Sequence, residues 1–270
     1  MKWQRKKVWR AIKIIILLYC IIGIALYYLQ DYILFHPVQI SRKHNYQFTV
    51  PYKEVNIPYS ATSTINIIQF LSTSSVKKGV VLYFHGNKKN ISWYAKYAPY
   101  FTKHGYEVWM LDYPGFGKST GVFSEQNLYN WSLVLYKLAR ARFEIDNIVI
   151  YGKSMGTGIA SQLASIRDCR YLLLETPYYS MPSVIDNYVP IYPVNRMIHY
   201  KLPTWQYLQT VTAPVIIFQG TGDWIIPHRN ARRLKPFLKP NDEFITINGG
   251  SHNDLYDFPA VVTKLDSLLK

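Results

Sequence analysis

Hydrophobic positions follow two regimes along this chain. Residues 14–29, IIILLYCIIGIALYYL, form one unbroken apolar run with no charge. Beyond it the apolar residues gather into short runs separated by stretches of helical period. Positions 52–57 and 64–71 alternate enough to predict two strands, and the Ser-rich cluster at 72–75 turns the chain. Runs at 80–84, 108–112, 148–151, 171–175, 215–219 and 244–247 then alternate with helical patterns at 92–103, 125–142, 157–166, 229–238 and 260–269. Strands and helices alternating at this spacing predict an α/β fold, a mostly parallel sheet flanked by helices. Residues 30–51 read as a connector, and no internal repeat is visible. Two parts are expected: 1–30, a basic N-terminus with an apolar helix, and 31–270, one globular domain of a size usual for a single unit.

The alternation fails between 176 and 214. That segment holds Pro177, Pro182, Pro190, Pro193 and Pro203 among Tyr178, Tyr179, Tyr188, Tyr192, Tyr200, Trp205 and Tyr207. Its place between two strands suits a lid-like insert over 177–212. A surface excursion packed by its own aromatic rings is the alternative.

The apolar run covers about 24 Å at about 1.5 Å per residue, short of a hydrocarbon core about 30 Å thick. A snorkelling Lys13 lets 8–12 extend it, and Tyr27 with Tyr28 supplies an interfacial aromatic pair. Lys2, Arg5, Lys6, Lys7, Arg10 and Lys13 precede it without one acid. A single-pass anchor is expected, N-terminus cytoplasmic and the remainder on the outer or periplasmic side. Secretion after signal cleavage is the alternative, with Gly23 and Ala25 as a small-x-small site followed by bulky residues. A lipoprotein signal does not suit Tyr19 before Cys20.

Charge changes the picture less than its size suggests. The net charge is +15, and six of the cations crowd into the first 13 residues. The remaining excess suits anionic surfaces or substrates. Without a helix-turn-helix, zinc or RNA-binding signature, nucleic acid is not an expected partner. The two cysteines, Cys20 in the apolar run and Cys169 before a strand, are not expected to pair, and no metal-ligand spacing is present.

Chemistry concentrates at 147–166. A strand-like run stops at Gly152, Gly152-Lys153-Ser154-Met155-Gly156 follows, and a small-residue helix begins. This G-x-S-x-G context puts Ser154 on a strained turn with its hydroxyl clear of the sheet. Glycine is needed at 152 and 156 because a Cβ would strike the neighbouring strand or helix. A serine needs a base, and the base an orienting acid. Asp223 follows the run ending at Gln219, and His252 follows the next, so Ser154, Asp223 and His252 stand in the chain order of α/β-hydrolases. Glu175 is the alternative acid. The N–H groups of Met155 and of Asn87, in His85-Gly86-Asn87, are the candidate oxyanion donors. Asp112 is expected to shape a turn, with no catalytic part.

Phe35-His36-Pro37, His85-Gly86-Asn87, Asp112-Tyr113-Pro114-Gly115-Phe116-Gly117-Lys118-Ser119, the Ser154 pentapeptide, Gly220-Thr221-Gly222-Asp223 with Pro227, and Ser251-His252-Asn253-Asp254 together carry a resemblance. The chain resembles a Bem46-like membrane-anchored α/β-hydrolase, related to the alpha/beta hydrolase domain-containing proteins 12, 13 and 17. That resemblance implies a serine hydrolase cleaving acyl esters, thioesters or lysolipids, with no metal or organic cofactor. Lys88 and Lys89 depart from it, standing where small residues are usual. They are expected either to favour substrates with a nearby phosphate or carboxylate, or to be two solvated loop lysines. A serine peptidase on the same fold and a non-catalytic membrane-anchored binding protein are the rival readings. The oligomeric state is not legible.

Overall fold

The computed structural model describes residues 2–270; Met1 and the side chains of Lys2 and Trp3, part of the expected basic N-terminus, lie outside the described residues. Eight strands form one sheet: β1 (Tyr52–Pro58), β2 (Thr64–Phe70), β3 (Gly79–Phe84), β4 (Tyr106–Leu111), β5 (Ile148–Lys153), β6 (Tyr171–Glu175), β7 (Val215–Gly220) and β8 (Glu243–Ile247). Their spatial order is β8-β7-β6-β5-β3-β4-β2-β1. The β1/β2 and β2/β4 pairs are antiparallel, and every other pair is parallel. A parallel sheet must be covered on both faces, because its crossovers run over them. The central strands obey: Val80, Leu82, Ile148, Ile150, Leu172 and Leu174 enter one core, and Val81, Tyr83, Val149, Tyr151 and Leu173 the other.

Four helices bear most on the site. α1 (Lys2–Tyr28) carries the apolar run, and α2 (Glu125–Arg140) starts at Ser124, whose side chain accepts the Asn127 N–H. α3 (Gly156–Ile166) follows β5 directly, and α4 (Pro259–Leu269) closes the chain. The 18-residue window that makes α1 long and apolar enough to cross a membrane has none of its residues buried. By composition and position it suits a bilayer span and a signal sequence equally.

Two helices expected from the pattern are broken. Residues 92–103 form Ile91–Tyr94, a 3-10 turn Ala95–Tyr97, and Pro99–Thr102. Pro99 has no N–H to give to the preceding turn, so one continuous helix cannot form. Likewise 229–238 splits into His228–Ala231 and the 3-10 helix Arg232–Phe237, which contains Pro236. The proline-rich segment carries three short helices, Met181–Ile185, Val194–Met197 and Thr204–Leu208. It packs on its own aromatics, with Tyr179 and Trp205 stacked at 5.5 Å. It also packs outward. Asn230 holds it at Tyr179 N (2.9 Å) and at Ser183, and Glu125 accepts from Lys201 N (2.6 Å).

Candidate active site

The turn after β5 forms because small residues allow it. A Cβ on Gly152 would lie 2.6 Å from Gly156 O, and one on Gly156 would lie 2.0 Å from Phe84 O. Between them Ser154 takes φ +53°, in the left-handed region. That conformation costs a non-glycine residue about 1–2 kcal/mol, so it persists only where neighbours hold it. They do: Ser154 N–H donates to Glu175 O at 2.9 Å, and Thr157 donates to Ser154 O through both N–H (2.9 Å) and Oγ1 (2.7 Å).

Three strand ends meet at this serine. His252 Nε2 lies 2.9 Å from Ser154 Oγ, and His252 Nδ1 lies 2.8 Å from Asp223 Oδ2. A carboxylate only accepts, so it fixes the proton on Nδ1 and leaves the Nε2 lone pair facing the hydroxyl. Asp223 is itself held, because Oδ1 accepts the N–H groups of Ile225 (3.0 Å) and Ile226 (2.8 Å). Ser154, Asp223 and His252 are 8%, 3% and 7% exposed, so the grouping is nearly sealed from water.

The loop carrying Asn87 passes directly above. A Cβ on Gly86 would sit 3.5 Å from Ser154 Cβ and 2.7 Å from the Tyr94 hydroxyl, which leaves no room for a side chain. Among the described hydrogen bonds, the backbone N–H groups of Asn87 and Met155 have no acceptor. The loop is stitched to the connector that follows α1. Asn87 Nδ2 donates to Leu34 O, and His36 N–H donates to Asn87 O at 3.0 Å. Lys88 and Lys89 pair in parallel with His36 and Pro37, and both side chains are exposed.

Glu175 is not placed to orient His252. Its carboxylate accepts from Tyr151 Oη (2.6 Å) and from Lys153 Nζ, all three side chains being buried. Asp112 also turns away from the serine: Oδ1 accepts Ile91 N–H at 2.9 Å and lies 3.4 Å from His85 Nε2. What sequence reasoning missed is Lys153. Its ammonium ties Glu175 to the backbone O of His252 at 3.1 Å, and so joins the ends of β5 and β6 to the histidine loop. Burial, then the Glu175 charge, pushes the Tyr151 and Tyr256 hydroxyls well above the usual phenol range, so both stay neutral donors. The available signal was a lysine before the serine with an acid ending the next strand.

A family model, Hydrolase_4 (serine aminopeptidase, S33), matches residues 75–206. Alpha/beta hydrolase domain-containing protein 17C of Xenopus tropicalis is 27% identical over 205 residues, 74% of this chain and 64% of that one. The chain spans about two thirds or less, 64–66%, of the length of the first curated relatives it matches. Among solved structures, a Pyrococcus furiosus esterase superposes with a TM-score of 0.65 at 16% identity, covering 87% of this chain and 97% of that one. A soluble variant of the Saccharomyces cerevisiae monoglyceride lipase gives 0.63 at 15% identity, covering 86% and 98%. The chain is thus an α/β hydrolase in fold, similar in sequence to the alpha/beta hydrolase domain-containing proteins.

Proposed function

We propose that the protein is a membrane-anchored serine hydrolase that cleaves acyl esters or thioesters, acyl lipids among them. The observation that carries the reading is the Ser154–His252–Asp223 chain at 2.9 and 2.8 Å. Ser154 Oγ attacks the acyl carbonyl while His252 Nε2 takes its proton. The tetrahedral oxyanion accepts from the N–H groups of Met155 and Asn87, which have no other acceptor among the described hydrogen bonds. His252 returns the proton to the departing oxygen or sulfur, and the C–O or C–S bond breaks to leave an acyl-serine. Water then repeats the sequence to release the acid and restore Ser154. Throughout, Asp223 steadies the imidazolium.

Residues 177–212 act as the lid in this reading, which the near-complete burial of Ser154 supports. Retention of α1 is supported by the seating on that segment of Gln30, just after the helix: Gln30 Nε2 donates to Met197 O (3.3 Å), and Gln30 Oε1 accepts from His199 N–H (2.8 Å). The basic residues before the apolar run favour a cytoplasmic N-terminus with the catalytic domain outside. The test is hydrolysis of p-nitrophenyl esters of increasing acyl length in mild detergent, together with labelling by a fluorophosphonate. Ser154→Ala is expected to abolish both, and labelling that survives it would refute the nucleophile. The description of the matching family favours aminopeptidase activity as the second reading. Release of amino acids from peptides, with no esterase activity, would establish that one instead.

A further inference from the structure

The lid segment does not merely touch α1; it grips it about two-thirds of the way along. Tyr19 and Tyr192 stack with centroids 4.5 Å apart and planes at 8°. Tyr192 Oη donates to Tyr19 O (3.0 Å), and Tyr19 Oη donates to Ile191 O (3.1 Å). Gly23 makes room, since a Cβ there would come within 3.0 Å of the Tyr192 ring.

Tyr19 precedes Tyr28 by nine residues, or about 13–14 Å along the axis. Half of a bilayer's hydrocarbon core is about 15 Å. Between Lys13 and the first gripped residue only 14–18 are both uncharged and clear of the tip, about 8 Å of helix. That length spans nothing by itself. As seated, α1 can cross a bilayer only if the part of the domain that grips it goes in alongside.

The gripping part is built for that. Ile191 is 70% exposed, Tyr188 55% and, beside them, Trp224 74%. Hydrocarbon penalises unpaired polar groups, and the tyrosine hydroxyls here are all paired internally. Tyr188 Oη bonds the backbone O of Trp224 (3.0 Å) and Ile225 (2.9 Å), while those of Tyr19 and Tyr192 are bonded as above. Exposed Asp186 on one side and Asn195 with Arg196 on the other bound the apolar tip 188–193.

We propose that this tip, with Trp224, enters the leaflet adjoining the catalytic domain together with residues 19–28 of α1, the lipid itself being the partner of this surface. The proposal rests on the reading of α1 as a membrane helix, and it adds that the lid lies within the lipid. Because Tyr188 holds the backbone directly after Asp223, the embedded tip is coupled to the loop of the triad acid, and ester substrates held in the same leaflet meet the lid without crossing water.

The test uses the full chain, Cys20→Ser, in vesicles of mixed phosphatidylcholine and phosphatidylglycerol. Single labels of a polarity-sensitive fluorophore are placed through Ile191→Cys, Ile24→Cys and Val76→Cys. Ile24 is exposed on α1, and Val76, also exposed, precedes β3 at the end of that central strand away from the Ser154 turn. Labels at 191 and 24 are expected to shift to the blue and to be quenched by acyl-chain spin labels, with 76 unaffected. A label at 24 in lipid with 191 behaving like 76 overturns the proposal alone; both in water overturns it together with the membrane reading. Ile191→Asp is expected to lower turnover of a long-chain ester carried in the vesicles at least tenfold more than turnover of a soluble short-chain ester. Equal rates on the vesicle ester would also overturn it.

Discussion

Lys153→Met removes the cation of the buried pair while keeping most of its volume. Lys153 is 1% and Glu175 0% exposed, so the variant leaves a carboxylate in the core with only the Tyr151 hydroxyl to compensate it. Breaking a buried pair by deleting one partner costs about 3–5 kcal/mol. Whole-domain stability is about 5–15 kcal/mol, and 1 kcal/mol moves Tm by roughly 2–4 °C at this size, so a fall of about 10 °C is expected. Removing both charges, Lys153→Met with Glu175→Leu, should recover most of that loss, because well-packed apolar replacements of buried pairs are often neutral. Activity should part company with stability. The bond from Lys153 to His252 O is missing in both variants, and misplacing a catalytic group by about 1 Å can cost about a hundredfold. The assay is urea unfolding in detergent micelles, followed by tryptophan fluorescence, beside kcat on one ester. A Lys153→Met protein within about 1 kcal/mol of wild type, against the figure expected for a broken pair, would refute the reasoning. So would a double variant no more stable than the single one.

Asp223→Asn keeps the geometry but offers an amide to His252 Nδ1; kcat is expected to fall by roughly 10⁴ with little change in KM, as for loss of the tautomer-fixing acid. If kcat barely moves, another carboxylate orients the base. Lys88→Ala with Lys89→Ala is expected to lower the rate on anionic esters relative to neutral ones; an unchanged ratio would mean that two exposed lysines serve only as a solvated strand. Burial pushes the Cys169 thiol up to about 12, so it should resist iodoacetamide at neutral pH until the protein is unfolded. Mass spectrometry of the native protein showing alkylated Cys169 would contradict that.

Much of the frame was legible because it is local. β6 falls on its expected run, 171–175, and the other strands lie within two residues of theirs, since buried β-branched runs bounded by turns leave few alternatives. The elbow was legible too: glycine at 152 and 156 has one steric explanation, and the backbone conformation of Ser154 agrees with it. The chain order of Ser154, Asp223 and His252 led to the expectation that they meet, and the structure places His252 2.9 Å from Ser154 and 2.8 Å from Asp223. What stayed hidden is contact between residues far apart in sequence. A lysine before the serine and an acid ending the next strand were the one hint of the Lys153–Glu175 pair, whereas nothing in the pattern tells that Lys88 and Lys89 pair with His36 and Pro37, or that Tyr19 stacks on Tyr192 across 173 residues. Pro99 and Pro236 were visible, and their power to break the helical period was underweighted.

The stitching of Asn87 to the connector bears on how this protein can be trimmed. Deleting α1 to obtain a protein without the apolar helix is a natural first step, and where the cut falls decides what remains. A cut after Leu34 removes the carbonyl that receives Asn87 Nδ2, and it takes away Gln30 with its two bonds to Met197 and His199. A cut before Gln30 keeps both, although Tyr192 then loses the ring it stacks on. The N-terminal boundary of a soluble fragment is therefore an active-site choice as much as a solubility one.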